Sequence, residues 1–175
     1  FTHINLHEVN THHLDKSIAL FLQKNEYVQV LEVVDCPNKL DISVLSDALI
    51  ESPLQVINFH GSNLVKSDWL GNVLMKRQYA LTKLDIGNCG VPKMSEIVFG
   101  MTSNLPLMQN LLALDVSNNP FNDEAQAGFI RLLEQMATNT PRLQALNIAN
   151  TGLSLFQVME KLQPFKLHYI NVSGN

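Results

Sequence analysis

Only two cysteines, one tryptophan and three arginines (Arg77, Arg131 and Arg142) occur in the 175 residues, and charged residues make up 16%. Two cysteines cannot build the disulfide framework of a small secreted scaffold, which favours a reducing compartment and makes the cytoplasm the expected location. With a net charge of -4 and no basic run, the chain has little to set against a phosphate backbone, so nucleic acid is not an expected partner. No stretch approaches the roughly 20 consecutive apolar residues that a bilayer crossing requires, so no membrane span is expected. The chain opens at Phe1 without a charged segment leading into an apolar one, so targeting information is absent or lies outside these residues. The phosphate-loop pattern G-x-x-x-x-G-K-[ST], the acyl-transfer pattern G-x-S-x-G and the zinc-protease pattern H-E-x-x-H are all missing. Catalysis therefore has no sequence support, and no enzyme, cofactor or metal is expected.

What the chain does have is apolar residues, 46% of the total, enough for a substantial core in a single domain spanning 1–175. They are periodic. The stretch "LLALDVSNNPF" from 111 recurs as "LTKLDIGNCGV" from 81, "LQALNIANTGL" from 143 and "LQVINFHGSNL" from 54. Weaker copies begin at 28 and 1, and "LHYINVSGN" from 167 is a shorter one. The fourth position of the unit is Ile4, Leu31, Ile57, Leu84, Leu114, Leu146 and Ile170; the sixth is Leu6, Val33, Phe59, Ile86, Val116, Ile148 and Val172. Fourteen apolar matches would arise by chance about once in 50,000 trials, so the repeat is real.

Apolar fourth and sixth positions on one side, with the third, fifth and seventh on the other, are the alternation of a short strand. After the ninth position comes helical spacing, clearest at "NDEAQAGFIRLLEQM", where Ala125, Phe129, Leu132 and Met136 share a face and Asn122 or Asp123 can cap the start. "DISVLSDALI", "SDWLGNVLMK" and "SLFQVMEKL" read the same way, with Trp69 expected in the core of the outer layer. The units resemble leucine-rich repeats, with their L-x-x-L-x-L-x-x-N/C-x-L signature, and within them the ribonuclease-inhibitor-like subclass. The resemblance implies an α/β leucine-rich-repeat solenoid: a horseshoe of about seven repeats, with parallel inner strands and outer helices.

The ninth column reads Val9, Cys36, Ser62, Cys89, Asn119, Thr151 and Asn175. Side chains of this kind can satisfy backbone groups where a strand turns into a buried loop, so Asn119 reads as structural. Cys36 and Cys89 stand two units apart, near 10 Å at about 4.8 Å per strand, beyond disulfide reach; they are expected as free, buried thiols. His3, His7, His12 and His13 cluster in sequence but lack an accompanying acid, and no metal role is expected of them.

The resemblance implies that the variable positions are the third, fifth, seventh and eighth, on the inner face. Here they hold five acids (Glu8, Glu32, Asp35, Asp85 and Asp115) against one base, Lys83, with Asp115 and Ser117 expected to face solvent. Val30, Val34 and Val56 are expected to form an apolar patch rimmed by Glu32, Asp35, Asn58, His60 and Lys83, with Tyr169 as a second anchor. An apolar centre with a polar rim is the anatomy of a protein contact. The expected function is a scaffold that binds another protein with a basic surface through this face. The phrases "LLALDVSNNPF" and "INVSGN" are similar to the repeats of CARMIL proteins, cytoplasmic regulators of actin capping, which implies cytoskeletal or signalling regulation. A GTPase-activating solenoid resembling RanGAP would need an arginine in the loop after a strand, yet Arg142 precedes a strand and Arg77 and Arg131 fall on or beside helices. A third reading is an inner segment of a longer array, since neither end carries a polar capping unit.

Overall fold

A computed structural model of the chain describes residues 1–138 and 141–175. The alternating and helical stretches give, in order, β1 (His3–His7), α1 (Leu14–Lys24), β2 (Val30–Val34), β3 (Leu40–Asp41), α2 (Ile42–Glu51), β4 (Val56–Asn58), β5 (Leu64–Val65) and α3 (Asp68–Lys76). Then follow β6 (Lys83–Asp85), α4 (Met94–Thr102), α5 (Leu105–Met108), β7 (Ala113–Asp115), α6 (Asp123–Met136), β8 (Ala145–Asn147), α7 (Leu155–Leu162) and β9 (Tyr169–Asn171). One strand from each unit enters a seven-stranded parallel sheet in the order β1-β2-β4-β6-β7-β8-β9, while β3 and β5 form a separate pair. The α/β class expected from the sequence is what the chain adopts. The register sets Ile4, Leu31, Ile57, Leu84, Leu114, Leu146 and Ile170 side by side. A slip of one residue would turn every apolar position outward, so the alternation itself enforces this pairing.

A single cluster of buried residues gathers the fourth and sixth strand positions together with one face of each longer helix. Leu31, Ile57, Leu84, Val33, Phe59 and Ile86 are fully buried in the centre, whereas Ile4, Leu6 and Val172 at the ends are half-buried. Each fully buried side chain of this size contributes about 1.5–3 kcal/mol. The predicted face of α6 is correct: Ala125, Phe129, Leu132 and Met136 are buried and the Asn122 side chain accepts from Ala125 N. Asp41 caps α2 in the same way through Ser43 N. Trp69 corrects the reading of α3: Leu70, Val73 and Leu74 are buried, but Trp69 is 42% exposed. It precedes Leu70 by one residue, about 100° around the helix, and so falls outside the buried stripe. Between α3 and α4 the backbones approach closely, because a Cβ on Gly100 would stand 2.1 Å from the Gly71 carbonyl oxygen.

Each strand ends in the same turn. The eighth position is left-handed in all seven units: Glu8, Asp35, Gly61, Asn88, Asn118, Asn150 and Gly174 all have positive φ. Asn, Asp and Gly adopt this conformation most readily, so the eighth column is selected largely by backbone geometry. The ninth residue then turns inward. Asn119 Nδ2 donates to the carbonyls of Ile86 (2.8 Å), Val116 (3.2 Å) and Ser117 (3.1 Å), and its Oδ1 accepts from Val91 N. Ser62 Oγ donates to Val33 O and accepts from Cys36 N; Cys89 Sγ donates to Phe59 O; Thr151 Oγ1 donates to Ile148 O.

Arg77 does related work at the opposite end of the units. It is 2% exposed, and its guanidinium donates to the carbonyls of Leu49 and Leu54. Leu49 lies in the last turn of α2, and the residue four further on is Pro53, which has no N–H to offer it. Arg77 supplies that donor. Burial lowers its pKa to about 10, which still leaves it charged at neutral pH.

Candidate functional site

The third, fifth and seventh strand positions turn away from the buried cluster and make an open face. Its fifth column is Asp or Asn in every unit but one, for a geometric reason. The side-chain oxygen accepts the N–H two residues on: Asn58 from His60 (3.0 Å), Asp85 from Gly87 (3.1 Å), Asp115 from Ser117 (2.9 Å), Asn147 from Ala149 (3.2 Å) and Asn171 from Ser173 (3.1 Å). A short carboxylate or amide reaches this N–H and bends the chain into the turn. Two expectations are corrected. Ser117 is not a solvent-facing residue but 2% exposed, its Oγ donating to Asp115 Oδ1. Asn58 and Asp85 are likewise buried, at 7% and 8%, and each bonds to a side chain of the neighbouring unit, Asn58 to Glu32 and Asp85 to His60.

The remaining residues expected to bind a partner are distributed along this face. Val30 and Val56 are direct cross-strand partners and both are half-buried. Val34 lies four residues along β2, about 13 Å away, with Glu32 on the same face between them. The three valines therefore form a pair and a singleton divided by a carboxylate. Glu32 accepts from Asn5 Nδ2 (3.4 Å) on one side and Asn58 Nδ2 (3.2 Å) on the other, so it is held in place. Asp35 stands 3.4 Å from His7 Nε2, which gives that histidine the acid neighbour the sequence did not reveal. Tyr169, 52% exposed, is at the far edge of the sheet on β9.

The central strands hold the densest group of polar side chains. His60 Nδ1 is 3.0 Å from Asp85 Oδ1, and Asp85 and Asp115 are cross-strand neighbours. One donor atom from each of His60, Asp85 and Asp115 lies within 4.8 Å of the others. Lys83 Nζ approaches the second oxygen of Asp85 at 4.0 Å, and Asp115 Oδ2 accepts from Asn147 Nδ2 at 2.7 Å. Burial, followed by repulsion from Asp115, pushes the Asp85 carboxyl above its ordinary range, while hydrogen bonding and attraction from His60 work the other way. All three residues were expected on a docking surface; that they converge was missed. The signal was present in the columns, where two carboxylates stand at the fifth position of successive units and a glycine, Gly87, at the seventh of the first.

Cys36 and Cys89 are free and buried, as expected. Burial pushes the Cys89 thiol up to about 12, which makes it a poor nucleophile at neutral pH. Among the described residues, no helix is long and apolar enough to cross a membrane. No protein-family model matches the chain, and no curated protein matches it.

Proposed function

We propose that the chain is a leucine-rich-repeat solenoid, a horseshoe whose concave face docks another protein bearing basic residues. The observation that carries this reading is the open face of the sheet, where Glu32 and Asp35 of the β2 unit, Asp85 on β6 and Asp115 on β7 stand within a span of four adjoining strands. Val30 and Val56 beside Glu32 offer an apolar contact next to this charge, the combination on which protein partners anchor. The repeats similar to those of CARMIL proteins support a cytoplasmic, non-enzymatic platform in cytoskeletal or signalling regulation. The test is calorimetric titration of a partner isolated with the intact protein. Val34→Asp and Val56→Asp are expected to weaken binding by about tenfold or more, and Phe99→Asp and Phe156→Asp, at exposed positions on the helices, to leave it unchanged. The opposite pattern would move the interface to the helical side.

A further inference from the structure

We propose that His60, Asp85 and Asp115 form a binding site for a divalent transition-metal ion, Zn2+ in particular. This goes beyond the docking reading, because a metal would bind with no partner present. The donor set is one imidazole and two carboxylates, which suits Zn2+ better than the all-oxygen sets preferred by Ca2+ or Mg2+. The three donor atoms lie within 4.8 Å of one another, and rotation of the side chains towards a common centre would bring them to the closer spacing of a tetrahedral zinc site.

Two features set this group apart from the rest of the polar face. In other units the fifth-position carboxylate is offset by an amide from a neighbouring strand: Glu32 by Asn5 and Asn58, and Asp115 on its far side by Asn147. Between Asp85 and Asp115 there is no amide, and the two carboxylates face each other directly in the register. The second feature is a cradle. A Cβ on Gly87 would stand 2.5 Å from Asp115 Oδ1, 2.8 Å from His60 Nδ1 and 2.9 Å from His60 Cε1. His60 and Asp115 thus lean from opposite neighbouring strands over the one seventh position that has no side chain.

The surrounding bonds suit ligation. Asp85 Oδ1 accepts from Gly87 N, and Asp115 Oδ1 from Ser117 N and Ser117 Oγ at 2.6 Å. Hydrogen bonds of this kind orient ligating carboxylates. Lys83 reaches only the outer oxygen of Asp85, at 4.0 Å, and leaves Oδ1 to His60. Three protein donors on an open face leave a fourth position for water or for a donor from another molecule.

The test is calorimetric titration of the whole chain with ZnCl2 in a non-chelating buffer, beside His60→Ala, Asp115→Asn and Gly87→Ala. Asparagine at 115 can keep the bond to Ser117 N, and Gly87 is not left-handed, so alanine there adds only a methyl group in the cradle. The expected result is one saturable site in the natural chain, weakened at least about tenfold in each variant while circular dichroism stays native. Absence of a saturable site in the natural chain would overturn the proposal, as would unchanged affinity in His60→Ala and Asp115→Asn. Affinity lost only on replacing His12 and His13 would place the metal at the histidine-rich start and overturn it equally.

Discussion

Asn119 and Asp115 stand four residues apart in one unit, and both are polar, yet their side chains meet opposite fates. Asn119 is fully buried and spends its donors and acceptor on four backbone groups. Asp115 is half-buried on the open face and, among the described residues, its bond beyond its own turn is to the side-chain amide of Asn147. The ninth column is consumed by the fold. The fifth column completes its turns with one oxygen and leaves its other terminal atom, a carboxylate oxygen or an amide nitrogen, to side chains, whose bonds can be exchanged for those of a partner or an ion at little cost to the backbone.

Several changes break or sharpen this contrast. Arg77 belongs with the buried kind: Arg77→Met keeps the apolar stem but strands the carbonyls of Leu49 and Leu54, and urea unfolding is expected to show a loss of about 2–5 kcal/mol. Ser62→Ala removes one donor and one acceptor from the ninth column and is expected to cost about 1–3 kcal/mol in the same measurement. On the open face, Asp85→Asn keeps the column's preferred side chain and relieves a buried charge. Because the folded pKa of Asp85 lies above its ordinary value of 3.8, its charge disfavours folding at neutral pH, and that penalty fades as pH falls through the raised pKa. In chelator, Asp85→Asn is therefore expected to melt higher than the natural chain at pH 7, with the gap closing towards pH 4. The smallest effect concerns Cys89: with its thiol pushed up to about 12 and buried, alkylation by iodoacetamide at pH 8 is expected to be undetectable until the chain unfolds.

The repeat made the sheet legible, because alternation ties the face of every strand residue to its register and seven copies repeat the information. The helices were legible where the apolar stripe was wide, as in α6. Trp69 was misread because apolar neighbours in sequence do not share a helix face. Ser117 was misread because its burial depends on a turn and on Asn147 from the next unit, neither of which a single strand pattern contains. The grouping of His60, Asp85 and Asp115 required comparison across three units and attention to a missing side chain at Gly87. Local periodicity carries no information about such convergence, although the aligned columns do.

The central claim is that the ninth column holds the fold while the fifth remains exchangeable. Its most direct test is the unfolding free energy of Asn119→Ala measured beside Asp115→Asn in the same chelating buffer. Asn119→Ala is expected to lose about 3 kcal/mol or more, because Val91 N and the carbonyls of Ile86 and Val116 lose their partner while Ser117 O keeps only its bond from Asn88 N, and Asp115→Asn less than about 1 kcal/mol. Equal losses, or a larger one for Asp115→Asn, would contradict the account.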